Sequence, residues 1–115
     1  MKRTIYRIVT EGEWKAARES GYFGGSGPDH RDGFIHFSTA EQAAETAAKH
    51  YAGKTDLLLL FVDARALTAP LKWEVSRGGA LFPHLYGALT IGAVLRTEKL
   101  PLAPDGGFIF PKLEP

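Results

Sequence analysis

There is no cysteine among the 115 residues. That excludes disulfides, zinc ribbons, iron–sulfur clusters and thiol catalysis. No apolar run approaches the roughly 18 residues of a membrane-spanning helix. The longest, Leu57 to Val62, is the length of a strand. The opening MKRTIYRIVTEGEW meets charge again at Glu11 and has no signal-peptide core, so a cytoplasmic location is expected. Neither sign of charge dominates. Fourteen basic against thirteen acidic residues give +1, which implies no strong attraction to nucleic acid or membrane. A P-loop, an HExxH helix and a GxSxG elbow are all missing. GGSG at Gly24 to Gly27 neither follows a strand nor opens a helix in the dinucleotide-binding manner.

What is present is ordinary for one globular domain: 44% hydrophobic and 23% charged residues. The core is expected over about 4–100, with a proline-rich tail over 101–115. Glycine is in surplus, at 13 residues, and five of these fall between Gly21 and Gly33.

β-Branched and aromatic residues predict a strand over Met1 to Val9. Thr10 with Glu13 forms a capping box for a short helix that stops at Gly21. Gly21 to Gly33 reads as one long loop. Phe34 to Phe37 is a short strand, and Ser38 with Glu41 reads as a second capping box. The following helix carries an apolar stripe at Ala40, Ala43, Ala44, Ala47, Ala48 and Tyr51, and Gly53 ends it. Asp56 to Asp63 is a continuous apolar run, expected as a central strand buried on both faces. Leu71 to Val75 alternates as a strand. Pro83 makes FPHLYG (Phe82 to Gly87) read as irregular. Another strand centres on Ala93 to Thr97, and Phe108 to Phe110 either pairs at an edge or packs. Helices early and strands late favour α+β, with mostly antiparallel strands in two small sheets and two helices in the N-terminal half.

Several residues could carry chemistry. Phe34, His36 and Ser38 share a strand face beside a helix start, where His36, a Ser38 or Thr39 hydroxyl and free N–H groups would suit a phosphate. The plainer alternative is a half-buried histidine and a simple cap. Arg7 interrupts the apolar row Ile5, Arg7, Val9. A buried arginine needs a partner, either a ligand phosphate or carboxylate or one of Glu74, Asp56 and Asp63, unless it snorkels from an edge strand. Glu74 shares its face with Lys72 and is either solvated or a strand-borne catalytic carboxylate. His84 and Tyr86 on a rigid turn form either a site wall or aromatic packing. Trp14 or Tyr86 could stack on a ligand ring. His30 and Arg31 fall in the glycine loop, and His50 near a helix end suits the dipole. The histidines are too scattered to spell a metal site, and none is expected.

IYRIVTEGEW, GFIHFST, LLLLFVDARAL, LKWE and FPHLYG, in this order, resemble the uncharacterised bacterial family DUF952 over about residues 4–100. The resemblance implies a fold but no established reaction. It also implies a histidine where this chain has Arg7. More distantly, IHFST, the alanine-rich helix and LLLLFVDARAL are similar in layout to RNA 2′-phosphotransferases. That likeness implies an ADP-ribosyltransferase-like superfold enclosing an NAD cleft. It puts Arg7 on the cleft, His36 and Ser38 near ribose or phosphate, and leaves Glu74 and Glu98 as candidates for a third-strand acid. The expected function is binding of an NAD- or ADP-ribose-type nucleotide by Arg7, Ser38, Thr39, Tyr86 and Trp14, with His36, Glu74 and His84 catalytic. Transfer of an ADP-ribosyl or 2′-phosphate group is the implied reaction. The alternatives are a non-enzymatic module that binds a small metabolite or a protein, and a hydrolase using His36 and His84 as acid and base.

Overall fold

The computed structural model describes residues 3–115, so Met1 and Lys2 of the expected first strand lie outside the described residues. The apolar run forms β4 (Leu57–Asp63), flanked antiparallel by β1 (Thr4–Thr10) and β8 (Val94–Lys99) in the order β1-β4-β8. Because strand side chains alternate, each strand feeds both faces. Ile5, Val9, Leu60 and Val62 enter one hydrophobic cluster, and Tyr6, Ile8, Leu57, Leu59 and Phe61 enter the other. β4 is thus buried on both sides, as its unbroken hydrophobicity predicts.

Thr10 and Glu13 form the expected capping box of α1 (Glu11–Ser20), and Gly21 at φ +92° closes the helix in the left-handed region that glycine favours. The glycine-rich stretch that follows is not one loop. It holds β2 (Tyr22–Phe23) and α2 (Gly27–Asp32). The helix is started by Ser26, whose N–H donates to Asp29 Oδ2 at 2.7 Å, and by Pro28 in its first turn. These start signals were overshadowed by the surrounding glycines, yet Gly33 at φ +84° is an ordinary helix terminator.

β3 (Ile35–His36) leads to α3 (Ala40–His50). The N-cap of α3 is Thr39, not Ser38, and Gln42 rather than Glu41 reaches back, its Oε1 accepting from the Thr39 N–H at 3.0 Å. Ala43 and Ala47 pack on the second cluster, while Ala44 and Ala48 are exposed. The buried stripe is therefore narrower than its spacing suggested.

β5 (Leu71–Val75), β6 (Leu81–Leu85) and β3 make a second three-stranded sheet in the order β3-β6-β5. FPHLYG is thus largely strand, and Pro83 sits inside the central one. Phe37 N–H donates to Pro83 O at 3.0 Å, but proline has no N–H to return, and β3 stays two residues long. β7 (Leu89–Thr90) pairs with β2. Among the described residues the protein is therefore α+β with three antiparallel sheets and three α-helices, one sheet and one helix more than the sequence suggested. In the tail, Leu102 bridges Phe108, and Phe108, Phe110 and Leu113 pack on the second cluster.

Candidate functional site

Arg7 lies where the strand alternation puts it, on the same face as Ile5 and Val9, and it is 6% exposed. Its partner is Asp29 of α2, a residue not among the candidates Glu74, Asp56 and Asp63. Nη1 donates to Asp29 Oδ1 and Nη2 to Oδ2, each at 2.8 Å, in the bidentate geometry that suits arginine. The other donors reach His36 O (3.1 Å), Ser26 Oγ (2.8 Å) and Ile8 O (3.0 Å). A guanidinium has five N–H groups, and all five are used. The guanidinium also lies 5.1 Å from the Phe23 ring centroid. In this arrangement Arg7 has no donor for a ligand phosphate. It holds α2 against β1.

Asp29 gathers further donors. The His36 N–H and Nδ1 meet Oδ1 at 3.0 and 2.7 Å, and Ser26 N–H meets Oδ2. Burial alone would push this carboxyl up. The His36 and Arg7 hydrogen bonds, with the Arg7 charge, outweigh burial and hold it far below the usual carboxylate range. Gly25, at φ +103°, makes room for this node, since a Cβ there would lie 2.8 Å from Asp29 Cβ. Gly25→Ala is expected to cost about 2 kcal/mol through backbone strain and displacement of Asp29, read by urea unfolding. An unchanged midpoint would show that α2 shifts without loss.

His36 bridges two residues of α2, since its Nε2 meets Asp32 Oδ2 at 2.9 Å while Nδ1 meets Asp29. A doubly protonated ring donates to both carboxylates, and a neutral ring to only one. Asp32 also accepts from Arg31, and this bond first, then His36, lowers it.

The second sheet supplies the other half of the site. His36 and His84 are register partners on β3 and β6, with ring centroids 5.5 Å apart. Glu74 on β5 is diagonal to His84, and its Oε1 takes His84 Nδ1 at 2.8 Å and the Tyr86 hydroxyl at 2.7 Å. The Tyr86 bond, followed by that of His84, holds Glu74 below its ordinary value and raises Tyr86 in turn. The Phe34 ring stacks on His84 at 4.0 Å and 23°. His84 is 4% exposed, and its Nε2 has no hydrogen-bond partner among the described residues.

Arg7, His36, Ser38 and His84 border one cleft of about 840 Å³, formed by β1, α2, β3, α3 and β6. Glu74 and Tyr86 do not line it; they stand behind His84. Ser38 Oγ is 3.0 Å from Thr46 Oγ1 on α3. Thr39 is buried as a helix cap and borders no part of the cleft, so the expected phosphate cradle at the helix start is not assembled there. Trp14 lines a separate hollow of about 430 Å³ with Lys15, Arg18 and Lys99. Glu98 pairs with Arg96 on β8, away from the cleft. His30 is exposed on α2. Asp29, Asp32 and Phe34 are the contributors that sequence reasoning missed. The S-x-x-D start of α2 was the signal for Asp29.

No helix among the described residues is long and apolar enough to cross a membrane. They also contain no group of three or more His, Asp or Glu residues arranged to hold a metal ion. No curated protein matches the chain. The crystal structure of protein CC0527 from Caulobacter crescentus is similar at 51% identity and a TM-score of 0.87, covering 92% of this chain and 93% of that one. The solution NMR structure of CC0527 gives 52% identity and a TM-score of 0.81, covering 90% of each chain. The profile of the family described as protein of unknown function (DUF952) matches residues 8–97. With most of its length matched, the chain belongs to the DUF952 family.

Proposed function

We propose that the cleft binds a nucleotide of the NAD or ADP-ribose type on an ADP-ribosyltransferase-like fold, and that transfer of an ADP-ribosyl or 2′-phosphate group is the activity to assay. The observation that carries this reading is the convergence of His36, Ser38 and His84 on one cleft of about 840 Å³, within the size range of small-molecule sites. Small antiparallel sheets meeting at that cleft agree with the arrangement the resemblance implies. The phosphate contacts fall to Lys54 at the α3 end of the cleft, because Arg7 is fully engaged by protein groups. Glu74 acts through His84, since it does not reach the cleft itself.

The expected result is a rise in melting temperature with NAD or ADP-ribose. Ligand at about 100 times its Kd adds roughly 2.7 kcal/mol. Lys54→Ala is expected to weaken that rise while leaving the unliganded protein unchanged. No shift at millimolar nucleotide would sink the reading. The complete use of Arg7 by protein groups favours one alternative, a non-enzymatic module that binds a small metabolite. Binding with no transferred product over hours would select it.

A further inference from the structure

The His84 corner of the cleft combines three features. The Nδ1 side of the ring faces a carboxylate, so Nδ1 is the donor, and in the neutral form of the ring the lone pair then lies on Nε2. Tyr86 donates to the same carboxylate oxygen, which keeps that oxygen an acceptor. Nε2 itself is buried and meets no polar group among the described residues. An unpaired buried acceptor costs on the order of 1–3 kcal/mol. Phe34 covers only the face of the ring, and the lone pair lies in the ring plane, so the stacking does not satisfy it.

The surroundings select what could satisfy it. The donors of Arg7 are all taken, and Arg31 is engaged by Asp32. Fixed charge around this corner is balanced, with Asp29, Asp32 and Glu74 against Arg7, Arg31 and Lys72, whose ammonium lies over the Tyr86 ring. A cationic donor therefore gains little, and a neutral donor is preferred.

We propose that His84 Nε2 is the acceptor of a hydrogen bond from a hydroxyl group of the ligand, and that Glu74 and Tyr86 are positioning residues holding the ring in that role. This deepens the cleft assignment above and rests on it. The same lone pair is the one a general base uses, and Glu74 would balance the charge of the protonated ring.

The test is nitrogen NMR of the full chain labelled in histidine, read free, with ADP-ribose, and separately with xylitol as a simple polyol. In the free protein, Nε2 is expected at the unprotonated position and Nδ1 at the protonated one. Either probe should then move Nε2 toward the hydrogen-bonded position. His84→Ala should weaken ADP-ribose binding about tenfold, the value of one hydrogen bond of about 1.4 kcal/mol. Glu74→Gln offers Nδ1 an amide that can donate or accept. It should abolish the tautomer preference while circular dichroism stays unchanged, a signature that a merely structural residue would not move. ADP-ribose binding with a silent His84 signal and an unaffected His84→Ala overturns this proposal and leaves the nucleotide reading standing. A His84 response to xylitol without nucleotide binding supports it and removes the nucleotide. A silent His84 signal with both probes, together with no ADP-ribose binding, overturns both.

Discussion

Replacing Asp29 by alanine is expected to lower stability by about 3–5 kcal/mol, because it leaves the Arg7 guanidinium buried without its counter-charge. For a chain of this length that is a fall of roughly 12–20 °C in melting temperature. Arg7→Ala should cost a similar amount. Arg7→Lys should recover little of it, since an ammonium offers three donors to a site that uses five. The double variant should cost clearly less than the sum of the two singles, because a pair in direct contact couples. A loss below about 1 kcal/mol for Asp29→Ala would mean that the pair is solvated and α2 is not fixed by it.

The same carboxylate sets an acid limb. Its folded pKa is depressed, so its stabilisation is fully present above the unfolded value, about 3.9, and is lost as pH falls toward the folded value. Between pH 4 and 2 the unfolded chain binds the extra proton, and stability falls with falling pH. Urea unfolding across that window should show a shallower fall for Asp29→Asn than for the wild type. Equal slopes would assign the acid sensitivity to other carboxylates.

Leu60→Ala should cost about 2–5 kcal/mol. Leu60 is wholly buried at the centre of the middle strand, opposite Arg7 on β1 and Thr97 on β8. Its removal opens a cavity in the cluster that also supports Ile35 and Leu85, on the strands carrying His36 and His84. The neighbour Leu59 faces the opposite cluster and should cost a comparable amount. Leu58, only partly buried, should cost less. These values come from urea midpoints at constant slope. A mild Leu59→Ala would contradict burial of β4 on both faces.

Local signals predicted the elements that follow local rules. The capping box at Thr10, the left-handed glycine at position 21 and the six-residue apolar run each specify their structure through contacts within a few residues or through simple partitioning from water. Two elements were misread for the same reason, a strong local breaker outvoted by its neighbours. Glycines hid the start of α2, and Pro83 hid β6, although Phe82 and His84 stand two apart in it, as residues on one strand face do. Pro83 is tolerated because the hydrogen bond it cannot make falls at the end of the short β3 ladder.

From the sequence alone came the α+β class, the exclusion of thiol chemistry, the two-faced central strand and the placing of Arg7 on an apolar face. Which acid meets Arg7 was decided only by tertiary structure. Glu74, Asp56, Asp63 and Asp29 are equivalent as charges. Burial then rewards the one that brings the most hydrogen bonds to a desolvated guanidinium, and α2 delivers Asp29. The pairing of Glu74 with His84 is likewise a matter of strand register, ten residues apart in the chain and diagonal across β5 and β6. Composition cannot encode such a register, because it depends on which edges find each other once the two clusters have closed.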